Sequence, residues 1–247
     1  MPIIKDPRER AARAAEKRQL LLRFLREELY TSPHVAAELL GVEARAARAT
    51  VSSLERDGLV KRHPIELGDG LSRLWVIGIT PRGQSVAFDP ATENVIDRSF
   101  EPARFSLVTL KHTMAVQRAR IQAVNTGKVK QWVSGDRLVA VKKGIKKPDA
   151  VCLTTSGQRI AVEVERSVKS PKAYRDVLSG HLTAMHQGKW GRVIWTCPDA
   201  TTRDRVQRLI LGIKRLQIAG IDTRIDPAQH HAHLAFTTYD MFTDCLA

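Results

Sequence analysis

The sequence predicts an α/β (α+β) protein of two domains. Its 247 residues are enough for two domains of ordinary size. Hydrophobic residues make up 43% of the chain, which is sufficient for packed cores and argues against global disorder. Apolar residues have helical spacing in the first part of the chain, and strand-like runs alternate with helical stretches in the second part. We therefore expect one domain at residues 8–88, a linker at 89–104 and a second domain at 105–247.

Three helices are expected in the first domain. An apolar stripe in an Ala-, Arg- and Leu-rich stretch predicts a helix over residues 8–29. Ser32 and Pro33 provide the usual cap and first position of a short second helix, which ends at Gly41. A third helix is expected at about residues 43–57, and its outer face is basic.

Two strands complete this domain, at residues 59–62 and 74–79, with a Gly-Asp-Gly turn between them. The order of helix, helix–turn–helix and hairpin resembles winged helix-turn-helix DNA-binding domains over residues 15–88. In such domains the third helix enters the major groove and the hairpin, or wing, contacts the backbone or minor groove. A winged helix that binds protein instead is the alternative. The resemblance implies DNA contacts from Arg45, Arg48, Thr50 and Ser52 on the third helix and from Lys61, Arg62 and Arg73 on the wing.

The second domain is predicted to alternate helices and strands after a linker without clear periodicity. A strand–turn–strand unit at its centre follows from the Ser-Gly turn between two runs rich in β-branched and apolar residues. The predicted helices are 106–125, 171–187 and 201–219, and the predicted strands are 129–133, 137–141, 149–153, 159–166, 191–196 and 233–238.

Three acidic residues mark this central unit: Asp149 at the start of its first strand, and Glu163 and Glu165 on its second. Because alternate strand residues point to the same face, the two glutamates share one side of the sheet. Neighbouring carboxylates repel each other and need a cation or a raised pKa, and oxygen ligands of this kind suit Mg²⁺ or Mn²⁺. The alternative is an exposed strand face with salt bridges to Arg159, Arg166 or nearby lysines.

The spacing of Asp149 and Glu163-x-Glu165, with the order of elements over residues 105–225, resembles the PD-(D/E)XK restriction-endonuclease-like superfamily and its αβββαβ core. Together with the winged helix before it, this pattern resembles plasmid replication-relaxation proteins and the MOBC class of conjugative relaxases. The resemblance implies that Asp149 and Glu163 bind the ion, which polarises the scissile phosphate.

The sequence departs from that superfamily at its third position, which normally holds a lysine and here holds Glu165. Either a lysine from elsewhere takes the role, with Glu165 as an extra ligand or base, or the domain has lost hydrolysis and only binds DNA. Lys147, Lys172 and Lys189 are the candidate lysines. The resemblance also implies a phosphate or metal contact by His112.

Other motifs compete with this interpretation. Relaxases commonly attack DNA through a tyrosine, and Tyr174 is the best placed by sequence, although packing on the sheet is the favoured role for it. The histidine cluster at 230–233, followed by Tyr239, has the pattern of rolling-circle nucleases but lies too close to the chain end for that fold. His181 and His186 are five residues apart, which argues against a metal pair on one helix face.

The net charge of +14 makes nucleic acid the first partner to test. Residues 88–147 carry 12 basic and 5 acidic side chains, half of the whole excess. We expect the lysine run at the end of this segment to draw the DNA backbone toward Asp149. The run consists of Lys142, Lys143, Lys146 and Lys147.

Several classes of protein are disfavoured. No apolar run approaches the ~20 residues that span a bilayer, and the first residues lack the apolar core of a secretory signal. Three cysteines do not make a disulfide framework or a zinc site. A cytoplasmic protein without a membrane partner is expected.

These observations predict a DNA-processing protein of plasmid or integrative-element mobilisation. It would bind double-stranded DNA, and single-stranded DNA at the nick is a further option. As a relaxase or relaxosome component it would nick an origin of transfer with Mg²⁺ or Mn²⁺, alongside other mobilisation proteins. A non-catalytic DNA-binding repressor or replication accessory is the alternative, and a nuclease of a transposition or restriction system is a third.

Overall fold

A computed structural model of the protein describes residues 6–66, 73–91, 98–138 and 147–246. The fold is mixed α/β, as predicted. The chain divides into two compact units, Met1–Gln117 and Arg118–Ala247. The domain limits expected from the sequence, with a linker at 89–104, remain predictions.

The first unit consists of helices on a small antiparallel sheet. Among its described residues, three strands pair in the order β1-β3-β2. Its elements are α1 (Pro7–Glu28), β1 (Tyr30–Thr31), α2 (Pro33–Leu40), α3 (Ala44–Arg56), β2 (Val60–Glu66), β3 (Arg73–Ile79), α4 (Pro81–Ala87), a 3-10 turn (Pro102–Arg104) and the first part of α5 (Leu107–Asn125).

Capping and apolar spacing explain the helices of this unit. The Ser32 side chain accepts a hydrogen bond from the backbone N–H of Val35 at 3.2 Å, as the Ser-Pro pair predicted. Thr80 caps α4 in the same way through the N–H of Gly83 at 2.9 Å. One buried cluster joins the elements, with Leu21, Leu25, Ala36, Leu40, Val51, Leu54, Val60 and Ile77 among its members. The three predicted helices and both predicted strands are confirmed, and α4 and β1 are additional.

The second unit is built on a mixed sheet. Within the described ranges its strands pair in the order β10-β7-β6-β5-β4, with β4, β5 and β6 antiparallel and β6, β7 and β10 parallel. Its elements are the end of α5, β4 (Val129–Ser134), β5 (Ala150–Thr154), β6 (Arg159–Val164), α6 (Pro171–His186), β7 (Arg192–Cys197), α7 (Ala200–Leu211), β8 (Arg215–Ile218), β9 (Ile221–Arg224), α8 (Pro227–His230) and β10 (Leu234–Thr238), with 3-10 turns at Gly135–Arg137, His231–His233 and Tyr239–Leu246.

Helices α6 and α7 pack on this sheet through a buried apolar cluster. Ser170 caps α6 through the N–H of Ala173 at 3.2 Å, and Asp199 caps α7 through the N–H of Thr202 at 2.8 Å. Ala161 of β6 belongs to the cluster, so the face of β6 that carries its odd-numbered residues lies against α6. The cluster also contains Tyr174, Leu178, Leu182, Val193, Trp195, Val206 and Ile210.

The predicted helix at 201–219 is wrong beyond Leu211. After Gly212 the chain forms the β8–β9 hairpin, in which Ala219 and Gly220 both have positive φ, 51° and 86°. This is the combination that a two-residue hairpin turn of the right twist requires. The predicted strand at 137–141 lies mostly outside the described residues, and its first position belongs to a 3-10 turn.

Candidate functional site

The three acidic residues come together where β5 begins and β6 ends. Ala150 of β5 is paired with Val162 of β6, so Asp149 and Glu163 occupy the next opposed positions. The Oδ2 of Asp149 accepts a hydrogen bond from the backbone N–H of Val164 at 2.8 Å. This bond holds the Asp149 side chain across the end of β6, next to both glutamates.

Glu163 is fully buried and contacts a histidine of α6. Its Oε1 lies 2.9 Å from Nε2 of His181, and both side chains have 0% exposure. The edges of Trp190 and Trp195 flank the imidazole, with ring centroids 5.6 and 5.5 Å from it. The His181 ring is thereby fixed in an apolar pocket with one nitrogen directed at the carboxylate. His186, by contrast, is exposed at the end of α6.

Glu165 is the second buried carboxylate, and a lysine neutralises it. Its Oε1 lies 2.9 Å from Nζ of Lys169, whose side chain is 41% exposed while that of Glu165 is 2% exposed. Burial raises the pKa of Glu165, Lys169 lowers it, and Glu163 and Asp149 raise it further, with a net rise. The two neighbouring carboxylates therefore lie close enough to oppose ionisation of Glu165.

The same carboxyl groups favour the charged form of Lys169. Burial lowers its pKa, but the carboxylates of Glu165, Glu163 and Asp149 raise it more strongly, so the pKa of Lys169 lies above its ordinary value. At neutral pH the site thus contains a protonated, partly exposed amine beside three carboxyl groups. Such an amine can stabilise a phosphate or a developing negative charge, but it cannot serve as a base.

Two tyrosines surround this lysine–glutamate pair. Buried Tyr174 accepts a hydrogen bond at its hydroxyl from the backbone N–H of Lys169 at 3.1 Å. The hydroxyl of Tyr239 donates to the backbone carbonyl of Glu165 at 2.7 Å. Burial raises the pKa of both phenols, that of Tyr239 to about 12. Both hydroxyls therefore position backbone around the site and remain protonated.

Lys169 is not among the lysines that the sequence predicts for the third position of the site, which are Lys147, Lys172 and Lys189. All three of those side chains are exposed, and none has a hydrogen bond or ion pair within the described parts of the chain. Lys169 follows Glu165 by four residues, a spacing that brings two side chains together on a helix. These two residues lie between a strand and a helix, so the spacing did not predict their contact. Of the predicted basic approach, Lys142, Lys143 and Lys146 lie outside the described residues.

His112, the remaining site prediction, lies half-buried on the part of α5 that belongs to the first unit. The histidines at 230–233 form a short helix and a 3-10 turn ahead of β10. The side chain of His230 is hydrogen-bonded within the same turn, since its Nδ1 accepts from the backbone N–H of Asp226 at 3.1 Å. The expected final strand is confirmed as β10.

The acidic residues fit a hard divalent cation in their chemistry, because all three offer carboxylate oxygens. In the described parts of the chain, however, no group of three or more His, Cys, Asp or Glu side chains is arranged to hold a metal ion. Oxygens of all three carboxylates are engaged with Val164, His181 and Lys169, as set out above. A bound ion would therefore share these carboxylates with their present partners.

In the first unit, helix α3 presents a basic face with helical spacing. Arg45 and Arg48 are exposed, and Ser52, four residues further on, is half-buried on the same face. Thr50 faces the core instead, with 9% exposure, and its hydroxyl donates to the carbonyl of Ala46 at 3.4 Å. The prediction of a DNA contact by Thr50 therefore conflicts with its burial.

The β2–β3 hairpin carries the predicted wing residues. Lys61 and Arg73 are exposed. Arg62 is engaged within the unit, because its Nε donates to Oε2 of Glu55 on α3 at 2.7 Å. Trp75, which was not singled out from the sequence, is 45% exposed on β3. Among the described residues of the hairpin, Lys61 and Arg73 therefore offer two exposed cations to a partner, and Trp75 offers an aromatic ring.

Comparison with known proteins relates the chain to one described family. A family model described as replication-relaxation matches residues 22–193, which is well over half of the chain. No curated protein and no solved structure matches. Among the helices of the described residues, none has the length and apolar character needed to cross a membrane.

Proposed function

This chain belongs to the replication-relaxation family, and we propose that it is a relaxase or relaxosome component that binds duplex DNA and nicks it at an origin of transfer with Mg²⁺ or Mn²⁺. The family indicates a DNA-processing role in replication or relaxation. One observation carries the finer proposal: Asp149, Glu163 and Glu165 meet at the end of β6 together with the amine of Lys169.

The first unit supports duplex recognition. Its order of elements is the one expected of a winged helix, in which α3 would be the recognition helix and β2–β3 would be the wing. Exposed Arg45 and Arg48 on α3 would contact the major groove or its phosphates, and Lys61 and Arg73 would contact the backbone beside it. Thr50 is left out because it is buried, and Arg62 because it forms an ion pair with Glu55.

In the second unit Asp149 and Glu163 would hold the divalent ion, and Glu165 would be a further ligand. Bound there, such an ion polarises a phosphate oxygen and lowers the pKa of a water molecule. His181 orients Glu163 from behind through the 2.9 Å contact, as a second shell does for metal-binding carboxylates. The low exposure of both glutamates excludes water and strengthens their interaction with any cation.

Lys169 would take the role of the lysine that the sequence lacks at position 165. Its raised pKa keeps it protonated, its amine is partly exposed, and Glu165 holds it by the carboxylates. A cation in that position attracts the scissile phosphate and stabilises the charge that develops on it. In this proposal Glu165 positions Lys169, which gives a physical reason for a glutamate at the usual lysine position.

A supercoiled plasmid that carries the chain's own genomic neighbourhood tests the proposal. With Mn²⁺ or Mg²⁺, the wild-type protein is expected to produce open circles nicked at one position. Glu163→Gln should abolish nicking while it preserves the shape of the side chain. Asp204→Asn, which removes an exposed acid on α7, is the matched control and should nick normally. Equal nicking by wild type and Glu163→Gln would exclude the assigned site.

A second function is favoured by the engagement of all three carboxylates and the lack of a metal-holding group among the described residues. On this alternative the second unit is a degenerate nuclease domain that only holds DNA, and the protein acts as a repressor or replication accessory. This alternative predicts that the protein binds the same plasmid but does not nick it in the presence of any divalent ion. The plasmid assay therefore separates the two functions.

A further inference from the structure

The β8–β9 hairpin carries an unusual pairing of like charges. Arg215 and Arg224 are direct cross-strand partners in this antiparallel pair. Directly opposed like charges destabilise a strand pair, and both side chains are exposed. Leu216 and Ile225 face the core, so the two arginines lie on the solvent side of the hairpin.

Helix α6 fixes the hairpin along its length. Arg175 donates to the carbonyl of Arg215 at 3.0 Å, and Thr183 accepts at its hydroxyl from the N–H of Ala219 at 2.9 Å. Between them, Ser179 bonds to the carbonyl of Gln217. The arginine end of the hairpin thus lies near the start of α6, and its turn lies about 12 Å further along the helix axis.

The arginine end of the hairpin is therefore the end nearer to Lys169. Helix α6 begins at Pro171, two residues after Lys169, whose backbone N–H donates to the hydroxyl of Tyr174, the residue before Arg175. A basic surface lies at this end of the hairpin. It consists of Arg175, Lys214, Arg215 and Arg224, and we call it the hairpin patch.

One acid opposes the hairpin patch from within the hairpin. Asp222 pairs with Arg215, with 2.6 Å between Oδ2 and Nη2. The guanidinium of Arg224 has no ion pair or hydrogen bond among the residues that the structure describes. The Arg175 guanidinium bonds to a carbonyl rather than to a carboxylate. Asp176 and Asp226 are also exposed beside the patch, so its four basic groups outnumber three acidic ones. This excess of positive charge, on a hairpin bonded to α6, suits a polyanion with regularly spaced phosphates.

We propose that the hairpin patch binds the phosphate backbone of DNA, independently of the α3 face and of any metal ion. Arginine forks on a fixed hairpin match phosphate oxygens, and an occupying phosphate relieves the repulsion between Arg215 and Arg224. Contacts of this kind position DNA without reading its sequence.

The test is the salt dependence of duplex binding by the full chain in EDTA, with a duplex of random sequence. The Arg215→Ala/Arg224→Ala variant should lower the slope of log K against log salt by about 1.8, two phosphate contacts at ~0.9 each. The matched control, Arg159→Ala/Lys189→Ala, removes two exposed charges at the opposite end of β6 and α6 and should keep the wild-type slope. The salt slopes of these two double variants should differ by the same amount when Arg45→Ala and Arg48→Ala are also present.

A second variant acts in the opposite direction. Asp222→Asn frees Arg215 and should tighten duplex binding several-fold, whereas Arg215→Lys/Arg224→Lys should retain most of the salt slope. Unchanged slopes in Arg215→Ala/Arg224→Ala, or weaker binding by Asp222→Asn, would overturn the proposal. So would arginine-dependent binding to phosphatidylserine vesicles without an effect on DNA. Because no metal or cleavage is involved, failure of the nuclease proposal would leave this result unaffected.

Discussion

The imidazole of His181 and the carboxylate of Glu163 form a fully buried pair, 2.9 Å apart, at the end of β6. Water does not reach this pair, so each group depends on the other for part of its hydrogen bonding. The pair joins α6 to the strand that carries the acidic residues. Its effects on folding and on metal binding can be separated.

His181→Ala removes the donor from a buried carboxylate and should lower the free energy of unfolding by about 1.5–3 kcal/mol, as for other hydrogen bonds to charged groups. Glu163→Gln keeps an acceptor for Nε2 and should lower it by much less. Chemical denaturation without metal measures both values. If the two variants were equally stable, the pair would not contribute as described.

Lys169→Ala should lower the nicking rate by about 100-fold, the usual effect of losing one charged group that stabilises a transition state. Plasmid binding should weaken only slightly, because the substitution removes a single phosphate contact. Single-turnover nicking measures the rate. Lys172→Ala is the control, since this lysine is three residues away and exposed. A lower nicking rate in Lys172→Ala with an unchanged rate in Lys169→Ala would show that Lys172 has this role and Lys169 does not.

No covalent protein–DNA adduct is expected from this site. Burial raises the pKa of Tyr239 to about 12, and the Tyr174 hydroxyl is held by the N–H of Lys169. A phenol attacks a phosphate as its anion, which is scarce for such a group at neutral pH. Tyr239→Phe and Tyr174→Phe should therefore still nick, and denatured reactions should contain no DNA bound to protein. A tyrosine-dependent adduct would contradict hydrolysis.

The α3 face should account for the specific part of DNA binding. Arg45→Ala/Arg48→Ala should weaken binding to a cognate duplex and lower the salt slope by about two, because two phosphate or base contacts are lost. Thr50→Ala should affect stability more than DNA affinity, since its hydroxyl bonds to Ala46 within the helix. Fluorescence anisotropy at several salt concentrations provides both quantities. A larger loss of affinity with Thr50→Ala would contradict the burial of that side chain.

Local sequence rules predicted much of this fold because they act within a few residues. Strand alternation predicted that Glu163 and Glu165 share a face, and Ser32-Pro33 predicted where α2 begins. The hairpin after α7 was missed because Ile213 and Leu216 are three residues apart, a spacing that a buried helix also shows. Only the pairing of the two short strands resolves that ambiguity.

The partners of the carboxylates could not be predicted in the same way. His181 reaches Glu163 because α6 packs on β6 in one particular register, which depends on the whole apolar cluster between them. Lys169 reaches Glu165 through a bend between strand and helix, where no periodic rule applies. Contacts of this kind arise from tertiary packing, and the type of each residue alone does not indicate them.

Calorimetric titration with Mn²⁺ measures whether Asp149, Glu163 and Glu165 bind an ion at the end of β6, as the nuclease proposal requires. The wild-type protein is expected to give a binding isotherm that is lost in Asp149→Asn and in Glu163→Gln and kept in Asp204→Asn. Binding should also tighten as pH rises through the raised pKa of Glu165, because the ion competes with a proton there. No heat of binding in the wild type, or the same isotherm in all four proteins, would contradict the account.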